Sequence, residues 1–395
     1  MKKLLIISEK FWPEGGGAEF ATFLISNILS HYFNVSILTG TLSSQVNDAQ
    51  VLYAPWLKTE NKFTLWSTII RNRGTIEKSI KKNDIIYVPR ASFPVIPWGK
   101  KLGKKIVTHL HDYIPISYNA VLLAPFEQRK HRLNRDTLML ERRKGIRYLA
   151  AARLFSSLSR NLVRDWVQFS NVIVYSSYRQ RDITASQAPE LCCRDNSKVI
   201  HNPLPIMPYF EKHLDKPTFL YVGGDSYIKG YPVLLKAIVE LNREKCNAGF
   251  IMVGDFSNES WRIMNSLNIG LAKTYEVVGR VRHQNLLKLH SKVWGLVFPS
   301  IVEEPSPYAV VESMQMGTLP IASRVGGVPE IVEGTCAEKT LFSPGDANAI
   351  VSSIQKVFSL SKEQLLNVGM ELRETALKRF NHEIIEEQLL EAFDS

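Results

Sequence analysis

Two glutamates, Glu304 and Glu312, stand eight residues apart within the stretch FPSIVEEPSPYAVVESMQMGTLPIASRVGGVPEIVE, which runs from Phe298 to Glu333. A helical rise of about 1.5 Å per residue keeps their backbones within roughly 12 Å of each other. An acid and a nucleophile acting on one glycosidic carbon need carboxyls about 5 to 5.5 Å apart, so that pairing is a poor reading. The separation suits two hydroxyl-bearing groups on either side of a phosphate, with each carboxylate accepting hydrogen bonds from a diol. A nucleotide-sugar has that layout.

The elements that must hold these acids are legible around them. An apolar run from Val293 to Phe298 stops at Pro299, a loop carries Glu303 and Glu304, and helical periodicity follows with Pro305 and Pro307 at its threshold. The opening turn of that helix offers unpaired N–H groups and a positive dipole end, an anion site. Pro307 lacks an N–H, which leaves Tyr308 and Ala309 as the expected donors. A second short apolar run, Pro320 to Ala322, leads into SRVGG, whose Gly326 and Gly327 permit tight turning and close approach of backbone to a ligand. Two strand ends and one helix start therefore converge, as in an open α/β sheet.

The run EPSPYAVVE followed by SMQMGTLPIASRVGG resembles the E-x7-E signature and its sequel in retaining family 4 glycosyltransferases, which have the GT-B fold. The resemblance is firm over residues 217–335 and looser over 1–200. TFLYVGGDSYIKGYPVLL is similar to the family segment G-R-x-x-x-x-K-G before a helix. Lys229 falls on the lysine that contacts the donor diphosphate, while Gly224 stands where the family has arginine, so half of the usual cationic clamp is missing. GFIMVGDFS is a further strand, ending at Gly254, and Gly279-Arg280-Val281 matches the part of the family that leads into the base pocket. Pro307 stands where many relatives have glycine.

Towards the amino end, Lys3 to Ser8 reads as a buried strand and not a signal peptide, and Gly15 to Gly17 lie between it and a helix beginning near Ala18. A dinucleotide fingerprint fails here because Phe20 replaces the third glycine. Gly16, Gly17 and Glu19 resemble the family's glycine-pair loop with a glutamate shortly after it, which faces the interdomain cleft. His111-Asp112, directly after a strand, resembles the family's H-D dipeptide, whose histidine lies near the transferred sugar; His109 shares its strand face and competes for the role.

Apolar runs at 34–38, 85–88, 105–109 and 172–175 alternate with helical segments, which implies parallel strands and crossover helices. At 395 residues, two domains are expected: 1–200, a proline-stiffened linker 201–216, and 217–375. By resemblance, a terminal helix, 376–395, crosses back to the first. The fold class is thus α/β, GT-B, with two Rossmann-like doubly wound domains facing a cleft.

Hydrophobic content of 45% and charged content of 22% are those of a globular protein, and no run of about 18 apolar residues suggests a membrane span. Cys192, Cys193, Cys246 and Cys336 lack paired C-x2-C spacing, which favours a reducing, cytoplasmic setting and argues against zinc. The net charge of +11 implies an anionic partner. Much of it lies in 127–165, where eleven Lys and Arg stand against four Asp and Glu, interleaved with apolar residues. A solvated helix face or docking on an anionic membrane, peripheral to its inner side, both fit. Nucleic acid is not expected, since no helix-turn-helix, RNP or zinc pattern accompanies the charge.

The resemblance implies a transferase moving a sugar from a nucleotide-sugar to a glycan or polyprenyl-phosphate-linked acceptor, with no metal and no cofactor. Glu304 and Lys229 with His111 are its expected catalytic groups, and Glu312 is expected to hold the ribose. A nucleotide-sugar 2-epimerase of the same fold and an inactive nucleotide-sugar-binding paralogue are the alternatives.

Overall fold

The computed structural model describes residues 1–42, 46–59, 61–192, 196–208, 210–267 and 275–394. Cys193, Tyr209 of the expected linker and Ser395 lie outside the described residues. The chain divides into two compact units, one of Met1–Leu122, His131–Pro205 and Phe380–Ser395, the other of Leu123–Lys130 and Ile206–Arg379.

The first unit is built on seven strands: β1 (Lys3–Ser8), β2 (Asn34–Thr39), β3 (Gln50–Tyr53), β4 (Ile85–Val88), β5 (Lys105–Leu110), β6 (Val172–Tyr175) and β7 (Ser197–Val199). Their order is β3-β2-β1-β4-β5-β6-β7, and every pairing is parallel. Central strands read as unbroken apolar runs because helices cover both faces, and Leu4 to Ile7 are completely buried. The edge strands β3 and β7 are half-exposed and carry Gln50, Ser197 and Lys198, so no apolar run marks them in the sequence. The terminal helix His382–Asp394 belongs to this unit: Phe393 lies against Phe33 and Tyr87, and Lys2 and Lys198 pair with Asp394 and Glu391.

The second unit has five strands, β8 (Thr218–Val222), β9 (Gly249–Val253), β10 (Tyr275–Gly279), β11 (Gly295–Phe298) and β12 (Leu319–Ala322), again all parallel, in the order β10-β9-β8-β11-β12. In both sheets the strand order reverses once, between β1 and β4 and between β8 and β11. The crevice outside the carboxyl ends of the strands at such a reversal is where open α/β sheets take ligands. The reversal in the second sheet brings the loop after β8, which carries Lys229, beside the loop after β11, which carries Glu303 and Glu304. The helix after that loop is Tyr308–Gln315, capped by Pro307, so it opens where the sequence places it. No helix among the described residues is long and apolar enough to cross a membrane.

One glycine sets the path of this loop. Gly326 has φ +47°, and a Cβ there would lie 1.8 Å from the carbonyl oxygen of Glu304. Gly326→Ala should therefore destabilise the second unit by about 2 kcal/mol or more, because the new methyl group meets rigid backbone and the left-handed φ disfavours it. A melting curve superimposing on that of the unaltered chain would refute the close packing.

Candidate functional site

In the second unit the two neighbouring acids face different partners. Glu303 is 3% exposed. Its Oε1 accepts the N–H of Phe126 at 2.7 Å and its Oε2 the N–H of Gly326 at 2.6 Å. It fastens the excursion Leu123–Lys130 and the loop after β12 to the loop after β11. Ala124 reinforces this by donating to the carbonyl of Ile301 at 2.9 Å. Glu304 turns towards the loop after β8, where its Oε1 lies 2.6 Å from Lys229 Nζ and accepts from Ser300 Oγ at 3.2 Å. The Gly327 N–H donates to the Glu304 carbonyl at 2.9 Å. The backbone that Gly326 and Gly327 approach so closely is thus that of Glu304, and their N–H groups are engaged in positioning the two acids.

Glu312 is 4% exposed on the Tyr308–Gln315 helix, and its Oε1 is 2.7 Å from His283 Nε2. Burial alone pulls the His283 imidazole down, but the hydrogen bond and charge of Glu312 outweigh it and leave the group raised. His283 thus fixes one oxygen of the Glu312 carboxylate. Sequence reasoning passed over His283; it follows directly on Arg280-Val281-Arg282, and its position after a strand end was the available signal.

The missing arginine has a steric reason. Gly224 sits at φ +59°, and a Cβ would fall 2.3 Å from the Asp255 carbonyl oxygen, so no side chain projects from this position. Gly254 packs on the Gly224 backbone, and its N–H donates to the Gly279 carbonyl at 2.9 Å. Arg280 reaches the Asp255 carboxylate, both side chains well exposed. Val281 follows, half-exposed.

In the first unit the strand-order reversal gathers a second set of groups. Gly16 caps the helix Gly17–Ser30, and its N–H donates to Glu19 Oε2 at 2.8 Å. Glu19 Oε1 pairs with Arg90 Nη1 at 3.2 Å, and Arg90 Nε also meets Glu9 at 3.4 Å. Arg90 follows β4 across the reversal from the glycine loop and is a residue sequence reasoning missed. Opposed by burial but favoured by Glu9, Glu19 and Asp112, it is held firmly charged. Asp112 is pushed up to about 6 by burial, which the nearby Arg90 charge offsets in part.

The structure separates the competing histidines. His109 is buried with both ring nitrogens engaged, Nδ1 by the Tyr87 hydroxyl at 3.0 Å and Nε2 by Ser176 Oγ at 3.3 Å. His111 stacks on it with ring centroids 4.0 Å apart; its Nδ1 is 3.3 Å from Ser176 Oγ, and its buried Nε2 has no hydrogen-bond partner among the described residues. An orphaned buried ring nitrogen is costly unless a ligand meets it. Burial, then the His109 and Arg90 environments, hold His111 well below the ordinary histidine value, so it is neutral near pH 7. Fully buried Gln180, also unforeseen, sets the segment's path: its Nε2 donates to the carbonyls of Leu110 at 2.8 Å and Asp112 at 3.0 Å.

Known proteins share this fold. Solved structures similar over nearly the whole chain include sucrose-phosphate synthase from Thermosynechococcus elongatus, at TM-score 0.73 and 18% identity with 99% of this chain and 98% of that one covered. The Anabaena HepE protein in complex with UDP-glucose matches at TM-score 0.69 and 16% identity, with 99% of each chain covered. These likenesses show the two-domain GT-B fold. Among curated proteins, an uncharacterized glycosyltransferase of Methanocaldococcus jannaschii is 29% identical over 119 residues, 30% of each chain. Glycogen synthase of Mycobacterium tuberculosis is 24% identical over 268 residues, 65% of this chain and 62% of that one. The chain thus spans from about a third to three fifths of the length of these relatives. Residues 206–373, which hold every second-unit residue described above except the excursion, match the family model described as Glycosyl transferases group 1.

Proposed function

We propose that the chain is a retaining glycosyltransferase of family 4 that moves a sugar from a nucleotide-sugar donor to a hydroxyl of a glycan or lipid-linked acceptor. One observation carries the reading: Lys229 Nζ is held 2.6 Å from Glu304 across the strand-order reversal of the second sheet, where the Tyr308–Gln315 helix opens. A cation and a helix amino end together suit a leaving diphosphate. The UDP-glucose bound to HepE and the family match over 206–373 support a donor of this class.

In this reading the donor's anomeric carbon–oxygen bond breaks as the bond to the acceptor oxygen forms on the same face. The acceptor proton passes to the departing phosphate oxygen, so no protein nucleophile is required. Lys229 and the first turn at Tyr308 and Ala309 stabilise the negative charge that builds on that phosphate. Glu304 holds Lys229 in place and accepts a hydroxyl of the donor sugar. Glu312, oriented by His283, accepts the ribose diol, and neutral His111 offers Nε2 to the transferred sugar. Gly224 favours a second reading, a protein that binds nucleotide-sugar without transferring it, since the arginine of the usual clamp is replaced by a turn with no room for a side chain. Product analysis after a nucleotide-sugar screen separates the two: transfer to an acceptor supports the first, and affinity without any product supports the second.

The adjacent acids should part company on substitution. Glu304→Gln is expected to lower kcat roughly a hundredfold while leaving the melting temperature near its starting value. Glu303→Gln should lower the melting temperature, since an amide cannot accept both backbone N–H groups. A stable, fully active Glu304→Gln enzyme would remove that residue from the mechanism. Lys229→Ala should weaken nucleotide-sugar affinity about tenfold or more in a thermal-shift titration, and unchanged affinity would place the diphosphate elsewhere.

The pH profile follows from the sign of the His111 shift. A lowered value favours the neutral ring, so transfer should persist as pH falls through 6.5, where an ordinary histidine would gain its proton. An acid limb at that pH that vanishes in His111→Gln would contradict the assignment.

A further inference from the structure

The helix Ile146–Val167 buries one stripe, Ala152, Ser159, Val163 and Val167, against the first unit. Opposite that stripe, Ile146, Ala150, Leu154 and Leu158 recur every fourth residue, and a four-residue step drifts by only about 40° around a helix. They form a second apolar stripe that faces solvent: Ile146 is 76% exposed, Leu154 73% and Leu158 53%. Exposed large aliphatic side chains aligned in this way are a contact surface, not scattered surface residues.

Charge surrounds the stripe. Arg147 and Arg153 are exposed on the same helix, and Arg142 lies exposed at the end of the preceding helix, Leu133–Lys144. Over 131–165, the part of this basic region that belongs to the first unit, nine Lys and Arg stand against three Asp and Glu. The helix is far too polar to span a bilayer. A 22-residue helix with an outward apolar stripe flanked by arginines has instead the pattern of one that lies in the headgroup plane. A second copy of the chain would bring the same positive charge to the contact, so like charges oppose self-association through this face.

We propose that this face of the first unit docks on an anionic lipid surface, with Leu154 and Leu158 entering the acyl boundary and the flanking arginines meeting lipid phosphates. None of these positions is among the residues assigned to sugar transfer, and the inference stands on the exposed stripe and its charge whether or not the transferase reading holds. It would bring a lipid-linked acceptor and the first unit to one plane.

The test is flotation of the full chain with vesicles. Binding is expected to vesicles of phosphatidylcholine and phosphatidylglycerol in equal parts, and not to phosphatidylcholine alone. Leu154→Ser with Leu158→Ser should cut the partition coefficient at least tenfold. Arg142→Ser and Arg147→Ser should each cut it about fivefold, and added salt should weaken it in step. All four positions are exposed, so the variants should melt with the parent and keep its nucleotide-sugar affinity. Equal binding to phosphatidylcholine alone, or undiminished binding by the leucine variant, would overturn the proposal. So would a parent dimer in sedimentation velocity that the leucine variant turns into monomer, because the stripe would then belong to a second copy.

Discussion

Two carboxylates on one loop, pointing different ways, organise the second unit. Glu303 accepts backbone N–H groups from Phe126 and Gly326 and is almost completely buried. A buried carboxylate is tolerated only when its oxygens are satisfied, so the three segments it joins must stay together for the unit to be stable. That constraint fixes the next residue. Glu304 has its backbone carbonyl taken by Gly327 and its side chain turned to Lys229, and the helix opens four residues later. The cation, the acid and the helix start are thereby set by a buried hydrogen-bond network instead of by the mobility of an exposed loop.

The first unit repeats the same logic with a cation at the centre. Arg90 is held by Glu9 and Glu19, and Glu19 in turn caps the glycine loop. The stacked histidines lie at the end of β5, with one fully engaged and the other left with an unmet nitrogen. Both units therefore present groups at the carboxyl ends of their central strands, on either side of the point where strand order turns. That is the part of a doubly wound sheet where loop residues are held by rigid elements yet remain open to a ligand.

Much of this was legible in the sequence, and the rest was hidden for identifiable reasons. Fully buried parallel strands announce themselves as apolar runs, so the central strands were readable, whereas the half-exposed edges β3 and β7 were not. The Tyr308 helix start was readable because prolines punctuate it. Glu303 and Glu304 are adjacent and identical, and nothing local says which turns inward; that depends on Phe126, far away in the chain. His109 and His111 likewise share a strand face, and it is Tyr87 on the neighbouring strand that occupies one and spares the other. Gly224 looked like a lost arginine, and the close Asp255 backbone shows why no side chain extends there. No composition shift signals that residues 123–130 belong with the second unit.

The central claim is that a leaving phosphate rests between Lys229 and the opening turn of the Tyr308–Gln315 helix. A crystal structure of the chain with a nucleoside diphosphate tests it most directly. The account predicts the distal phosphate within hydrogen-bond distance of Lys229 Nζ and of the backbone N–H groups at 308–309, with the ribose on Glu312. A nucleotide bound with its phosphates away from both would contradict it.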